Sequence, residues 1–309
     1  MYKTVLNKIE EYQNITIFRH LRPDGDAIFS SCGLKYFIEH NFKDKEVKLC
    51  GEETYDVLPV KEEVSDEFIN NSLAIILDVS GTDRTDDQRF FNAKERLIID
   101  HHPGNPTHAE TLLQDTSCCA TAELLAKLFY SGEFSEYEVS PKTCEYLYCG
   151  ILTDSNSFST SNTTADTLLL ASRLVKDGNL KPSEYNEMVF NDSYESFIKT
   201  TKLRSNLKIE DGIGYLILDN KDLEEIGFTA NEAKNRVNEF ARIKELNIWA
   251  IFVYDEESGL YNGSLRSRRN FVINEICNNY NGGGHKNACG VKRLSRKDIT
   301  NLFADLRKI

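Results

Sequence analysis

The sequence predicts an α/β protein in two parts: a parallel-sheet domain first, then a smaller α/β domain. Three observations carry this. The first half alternates short apolar runs with helical patterns, the signature of βαβ units. Two of those runs, LAIIL at Leu73–Leu77 and LII at 97–99, are apolar throughout, as strands covered on both faces are. The chain has 309 residues, 40% hydrophobic and 28% charged, which suits two domains of ordinary size and argues against disorder.

Each element follows in order. The opening MYKTVLNKIEEYQ is charged and helix-like and lacks the apolar stretch of a signal peptide. Residues 15–18 (ITIF) read as a strand. Residues 26–40 read as a helix, with Ala27, Cys32, Leu34, Phe37 and Ile38 as its apolar positions. Residues 46–50 form a second strand, and the two apolar runs form two more. Residues 119–130 and about 141–151 form helices. The first domain spans 1–185. A polar, helical stretch over 186–211 reads as a linker and breaks at Asp211-Gly212. The second domain, 212–309, shows a strand at 214–219, a helix over about 229–245, a strand at Ile248–Asp255, a turn at 257–259, a strand at 261–267 and a helix from about 271.

The charge is uneven. Lys and Arg total 37 against 49 Asp and Glu, a net −12. Residues 261–309 alone hold ten basic and three acidic residues, or +7, which leaves −19 on the first 260. The total argues against broad binding to long nucleic acid, which needs many Lys and Arg contacts. The division suits an acidic body that uses cations and a basic end that grips an anion. The eight cysteines include no C-x-x-C pair, so a zinc ribbon is unsupported and a reducing cytoplasm is expected. No apolar run approaches a membrane span.

Chemistry concentrates where the strands end. The first strand runs into His20-Leu-Arg-Pro-Asp24-Gly-Asp26, with Pro23 and Gly25 breaking it into a tight loop. LAIIL ends in Asp78. LII ends in Asp100-His101-His102. YLYCGILT runs into Asp154. Ligands of open α/β sheets bind beyond the carboxyl ends of the strands. Four carboxylates there, at Asp24, Asp26, Asp78 and Asp154, repel one another unless cations are present. Two divalent ions would balance them. Mixed imidazole and carboxylate donors suit manganese, magnesium or cobalt. Such metal pairs belong to phosphoryl-transfer hydrolases.

The order H-x-x-x-D-x-D, lone Asp, D-H-H, lone Asp resembles the DHH phosphoesterase superfamily. Ser264-Leu-Arg266-Ser267, followed by Gly282-Gly283-Gly284-His285 and on to Gly290, resembles the associated C-terminal domain of that superfamily. The short layout is similar to the nano-RNase and pAp phosphatase branch. The resemblance implies an active site in the cleft between the domains. It implies His20 and Asp24 on one metal, Asp26 and His101 on the other, Asp78 bridging, and Asp154 completing one or both. It further implies His102 facing the substrate phosphate, with Asp100 orienting an imidazole. Arg266, Ser267, Gly282, Gly283, Gly284 and His285 would hold the rest of the substrate.

The implied enzyme cuts very short oligoribonucleotides and dephosphorylates 3′-phosphoadenosine 5′-phosphate. A signalling phosphodiesterase for cyclic or linear dinucleotides is the rival within enzymes, and a nucleotide- or RNA-binding module without catalysis is the rival outside them. No membrane and no obligate protein partner is implied, and a homodimer is compatible. Three departures stand out. Phe29 replaces a usual glycine and is expected to tilt the helix or narrow the site. Ala120 replaces a frequent serine, although Thr121 and Glu123 fit. Ser155-Asn156 replaces Thr-Gly, and Asn156 is expected to take the left-handed geometry of the missing glycine. Arg268 and Arg269 would extend a phosphate track, while Trp249 and Phe252 read as core packing.

Overall fold

The computed structural model describes every residue except 53, 54, 56, 80, 82, 83, 105–108 and 269, and describes His285 by its backbone alone. The chain divides into two units, Met1–Asn191 and Asp192–Ile309. Among the described residues no helix is long and apolar enough to cross a membrane.

In chain order the first unit contains α1 (Tyr2–Glu11), β1 (Asn14–Phe18), α2 (Gly25–Asn41), β2 (Glu46–Leu49), α3 (Asp66–Asn70), β3 (Leu73–Leu77), β4 (Glu95–Asp100), β5 (Thr111–Gln114), α4 (Thr121–Phe129), α5 (Pro141–Asp154), α6 (Ala165–Gly178) and α7 (Pro182–Phe190). Its five strands are all parallel, in the order β2-β1-β3-β4-β5. Alternation along the strands splits the core in two. Ile15, Ile17, Ile75, Leu77, Leu97 and Ile99 pack with α1, α2, α4 and α5. Phe18, Ala74, Ile76 and Ile98 pack with Ile69 of α3 and with Phe90. Both faces are thus covered, which is why LAIIL has no polar position.

α2 lies deep, and its partner α5 approaches it closely. A Cβ on Gly150 of α5 would fall 2.5 Å from the Ala122 Cβ and 2.9 Å from an Asp26 oxygen. Phe29 does not narrow a cavity. Its ring is buried beside Tyr55 and Tyr146, with centroids 6.2 and 6.3 Å away. The expected effect on the helix is replaced by ordinary core packing.

The second unit contains α8 (Tyr194–Ser205), β6 (Lys208–Glu210), β7 (Ile213–Leu218), α9 (Asn220–Ile226), α10 (Ala230–Asn235), β8 (Ile248–Asp255), β9 (Leu260–Ser267), α11 (Asn274–Asn278), β10 (Gly283–His285), β11 (Ala288–Leu294) and α12 (Arg296–Leu306). Its sheet is mixed, in the order β10-β11-β9-β8-β7-β6, with β7 and β8 the parallel pair. One face packs on α11 and α12 through Ala250, Phe252, Leu265 and Val291. The other packs on α8, α9 and α10 through Trp249, Ile251 and Val253.

Several expectations shift here. The helix expected over about 229–245 is shorter: α10 ends at Asn235 and the chain tightens into a 3₁₀ turn over Arg236–Phe240. Asn235, Val237 and Asn238 are weak helix formers, and burying Val237 and Phe240 decides the geometry. The helix expected from about 271 starts at Asn274. The glycine segment forms strand β10: Gly283, Gly284 and His285 pair with Gly290, Cys289 and Ala288. The stretch expected as a linker over 186–211 holds the end of α7, all of α8 and β6, and the division between units falls within it.

Candidate functional site

The parallel sheet gathers the chemistry at one edge. His20 and Asp24 follow β1, Asp26 begins α2, Asp78 follows β3, Asp100 ends β4 with His101 and His102 after it, and Asp154 ends α5. From β1 the chain steps outward to β2 on one side and returns to β3 on the other. Such a reversal leaves a crevice at the carboxyl ends of the two strands. The site lies at that reversal.

Donor atoms of His20, Asp24 and Asp78 lie within 4.8 Å of one another. So do those of Asp26, His101 and Asp154, and those of Asp78, His101 and His102. Asp78 is common to two groups. The His20 Nε2 is 3.5 Å from Asp78 Oδ2 and 3.7 Å from Asp24 Oδ1. The His101 Nε2 is 3.4 Å from Asp78 Oδ1 and 3.6 Å from Asp154 Oδ2.

Backbone carbonyls fix which ring nitrogen faces inward. The Nδ1 of His20 lies 2.9 Å from the Leu21 carbonyl, and that of His101 lies 3.2 Å from the Cys118 carbonyl. With each Nδ1 at a carbonyl, Nε2 is the ring atom that faces the carboxylates. His102 is turned the other way. Its Nδ1 is 2.8 Å from Asp100 Oδ1, which also accepts the His102 backbone N–H at 3.1 Å. Asp100 is fully buried, so it holds the ring from a fixed position.

Asp78 is strained as well as buried. Its φ of 57° places a non-glycine residue in the left-handed region, at a cost of roughly 1–2 kcal/mol. Its N–H donates to the Ile99 carbonyl at 3.2 Å, which locks the bend at the end of β3.

The protons report the excess of negative charge. Burial disfavours a charged His20 ring, yet Asp24 and Asp78 raise its pKa to about 11. Burial likewise opposes charge on His101, and Asp78, Asp154 and Asp26 raise it to about 10. Burial, then Asp78 and Asp154, hold Asp26 well above the usual carboxylate range. Burial would raise Asp78 too, but His101 and His20 hold it well below. Asp154 is pushed up to about 7, by burial first, with Asp24 and Asp78 adding against the pull of His101. Four carboxylates and two aimed imidazole nitrogens, with no thiolate among them, form a donor set that fits divalent cations taking oxygen and nitrogen ligands.

The start of α4 joins this site, a role the sequence did not reveal. Ala120 cannot cap the helix, and Asp26 does so from α2. Its two oxygens accept the N–H of Thr121 at 2.6 Å and of Ala122 at 3.0 Å. The Thr121 hydroxyl donates to Asp78 Oδ1 at 3.1 Å. Glu123, fully buried, accepts the Cys119 N–H at 2.7 Å and the Thr167 hydroxyl at 3.1 Å. The pattern A-T-x-E was visible, but the partners are 43 to 96 residues away along the chain. After Asp154, Asn156 takes the left-handed geometry expected of it, with φ 45°, and Ser157 and Phe158 follow at 58° and 63°.

In the second unit, strand alternation sorts the expected residues. Arg266 and Ser264 lie on one face of β9, opposite Ala288 and Gly290 of β11. Ser267 points to the other face. It is buried, donates to the Phe271 carbonyl at 2.5 Å and accepts from Asn287 at 2.9 Å. The expected substrate contact of Ser267 thus gives way to a bond that ties down the next turn, and Ser264 shares the Arg266 face. Three glycines do different work. A Cβ on Gly282 would meet the Cys277 and Gly290 carbonyls at 2.5 Å, and Gly284 has φ 136°. Gly283 faces open space. Arg268 is not part of a phosphate track: it donates to the Ala241 and Ile243 carbonyls and stacks 5.4 Å from the Trp249 ring. Trp249 and Phe252 are buried in the core. Arg269 and the His285 side chain lie outside what is described.

Comparison with known proteins agrees in extent. Residues 14–151 match the model of the DHH family, N-terminal domain, and residues 213–309 match the DHHA1 domain. The chain is 32% identical to the probable bifunctional oligoribonuclease and PAP phosphatase NrnA of Streptococcus mutans, covering 100% of this chain and 98% of that one. It is 31% identical to the bifunctional oligoribonuclease and PAP phosphatase NrnA of Bacillus subtilis, with the same coverage. Its fold is similar to the crystal structure of an exopolyphosphatase-related protein from Bacteroides fragilis, with a TM-score of 0.85 at 22% identity over 99% of this chain and 95% of that one.

Proposed function

Because the chain belongs to the DHH family, we propose that it is a divalent-metal-dependent phosphoesterase that hydrolyses very short oligoribonucleotides and removes a phosphate from 3′-phosphoadenosine 5′-phosphate. The observation that carries this is the pair of donor groups, His20–Asp24–Asp78 and Asp26–His101–Asp154, set at the reversal of a parallel sheet. The names of the full-length relatives support the substrate class.

Each residue has a role in this reading. His20 and Asp24 would hold one cation, Asp26 and His101 the other, with Asp78 shared between them. Asp154 completes the second group. Bound there, the two cations supply Lewis acidity and lower the pKa of water, and the donor set favours Mn²⁺, with Mg²⁺ or Co²⁺ as substitutes. His102, oriented by Asp100, meets the substrate phosphate. Arg266 offers a two-pronged donor to an anionic part of the substrate. β10 is an edge strand, so part of its backbone is unpaired, and Gly283 lets an anion approach closely. The chain acts without an obligate protein partner, and a second copy is compatible with this reading. Eight buried, unbridged cysteines support a reducing, cytoplasmic setting.

The test is purified protein with Mn²⁺, offered a dinucleotide, 3′-phosphoadenosine 5′-phosphate, a cyclic dinucleotide and a longer RNA, with products resolved by length. Turnover of the first two, abolished in Asp78→Ala, is expected. Near-normal turnover in Asp78→Ala would refute the shared-carboxylate site. Preference for the cyclic dinucleotide would move the reading to a signalling phosphodiesterase, and tight RNA binding without hydrolysis to a binding module.

A further inference from the structure

We propose that Thr121 is a positioning residue that sets the separation of the two cation positions. The proposal rests on the reading of Asp26 and Asp78 as ligands, and adds what holds them in register. Asp26 comes from α2 and Asp78 from the end of β3, two elements that fix neither side chain toward the other. The first turn of α4 does. The Thr121 backbone N–H donates to Asp26 Oδ2 at 2.6 Å and its hydroxyl donates to Asp78 Oδ1 at 3.1 Å, so one residue holds both carboxylates. The Ala122 N–H completes the hold on Asp26 at 3.0 Å, leaving each Asp26 oxygen with one accepted bond and a remaining lone pair.

The clamp is itself anchored. Thr121 is fully buried, and Glu123 two residues on is tied to the Cys119 N–H and to Thr167 of α6. From the α5 side, Gly150 admits the Asp26 carboxylate against α4, where any Cβ would stand 2.9 Å from its Oδ1. A donated bond to Asp78 Oδ1 restrains the one carboxylate that the two imidazole groups share, on the same oxygen that His101 approaches at 3.4 Å. Removing that bond leaves Asp26 held and takes a hydroxyl donor from Asp78 Oδ1, so the two carboxylates lose their common tie.

Thr121→Val removes the hydroxyl and keeps the shape, and Thr121→Ser keeps the hydroxyl. Calorimetric titration with Mn²⁺ is expected to show binding 10–100-fold weaker in Thr121→Val, the range for losing a group that orients a metal ligand. Thr121→Ser is expected to bind within about threefold of the parent. Metal-free Tm values separate this from a merely structural role, which would lower the Tm of Thr121→Val and leave its Mn²⁺ affinity alone. Thr121→Ala carries the same expectation if the valine variant does not fold. Parent-like Mn²⁺ binding by Thr121→Val, or equal weakness in Thr121→Ser, would overturn the proposal. Asp78→Ala is titrated in parallel: if it too binds Mn²⁺ normally, the ligand reading fails, and if it alone loses binding, only the positioning role fails.

Discussion

Asp78 shows how much a single residue can be asked to do. It is buried, left-handed and surrounded by donors from three histidines and a threonine. Asp100 is simpler, and its work can be isolated. It holds the His102 ring through Nδ1, so Asp100→Asn keeps the shape and removes the charge. We expect kcat to fall about 10–100-fold, as when an orienting carboxylate is lost, with KM nearly unchanged. Steady-state kinetics on a dinucleotide decide this, and a change confined to KM would assign Asp100 to binding. Arg266 should behave oppositely. A charged hydrogen bond to phosphate contributes about 1.5–3 kcal/mol, so Arg266→Ala should raise KM roughly 10–100-fold and leave kcat largely alone. An unchanged KM would remove Arg266 from the substrate.

At the scale of elements, close approach governs the site. α5 can meet α2 and α4 only because residue 150 has no side chain. Gly150→Ala would place a Cβ 2.5 Å from Ala122 Cβ, and we expect a loss of about 1–3 kcal/mol, read as a lower midpoint in urea. Strand β10 has a similar constraint. Gly284→Ala would require φ near 136° and bring a Cβ within 2.4 Å of the Ala288 carbonyl, so β10 should detach from β11. Faster amide exchange across β10 and β11, with the first unit unaffected, is the expected signature. Where α8 meets the 3₁₀ turn after α10, Arg236 bonds Asp192 at 2.8 and 2.9 Å. That bond, more than the opposing effect of burial, holds the Asp192 carboxyl below its usual range. Its contribution is therefore present above the unfolded value of about 3.9 and is lost as pH falls through the lower folded value. Asp192→Asn should lower Tm at neutral pH, and the gap should close on acidification below about pH 4. A gap that persists in acid would mean the ion pair is not its source.

For the whole molecule, the division of charge acquires a structural meaning. The four carboxylates of the site belong to the acidic first unit, and the residues assigned to gripping phosphate belong to the basic end of the second. Crowded carboxylates repel one another, so cations bound among them are expected to stabilise the first unit. Mn²⁺ at 100 times its Kd should then stabilise the protein by about 2.7 kcal/mol, seen as a rise in Tm that a chelator reverses. The same addition to Asp78→Ala should produce little rise.

Much of this was legible along the chain. Parallel strands announce themselves because burial on both faces leaves no polar position, so Leu73–Leu77 could be read as a strand without ambiguity. Asp78, Asp100, His101 and His102 were legible because chain connectivity places them directly at the ends of apolar strands. Strand β10 was not, because glycine has no strand preference of its own and only pairing with β11 makes it one. Ser267 was mistaken for a contact because a motif does not tell which way a strand faces, and only the register with β11 assigns Ser264 to the Arg266 side. The sequence by itself determined the fold class, the two units and the residues able to bind cations, since these depend on periodicity and on adjacency along the chain. The tertiary structure alone decided which nitrogen each imidazole presents, that Asp78 is strained, and that Thr121 joins two carboxylates. The last of these depends on hydrogen bonds between segments 43 and 95 residues apart, and no local pattern encodes a contact over that separation.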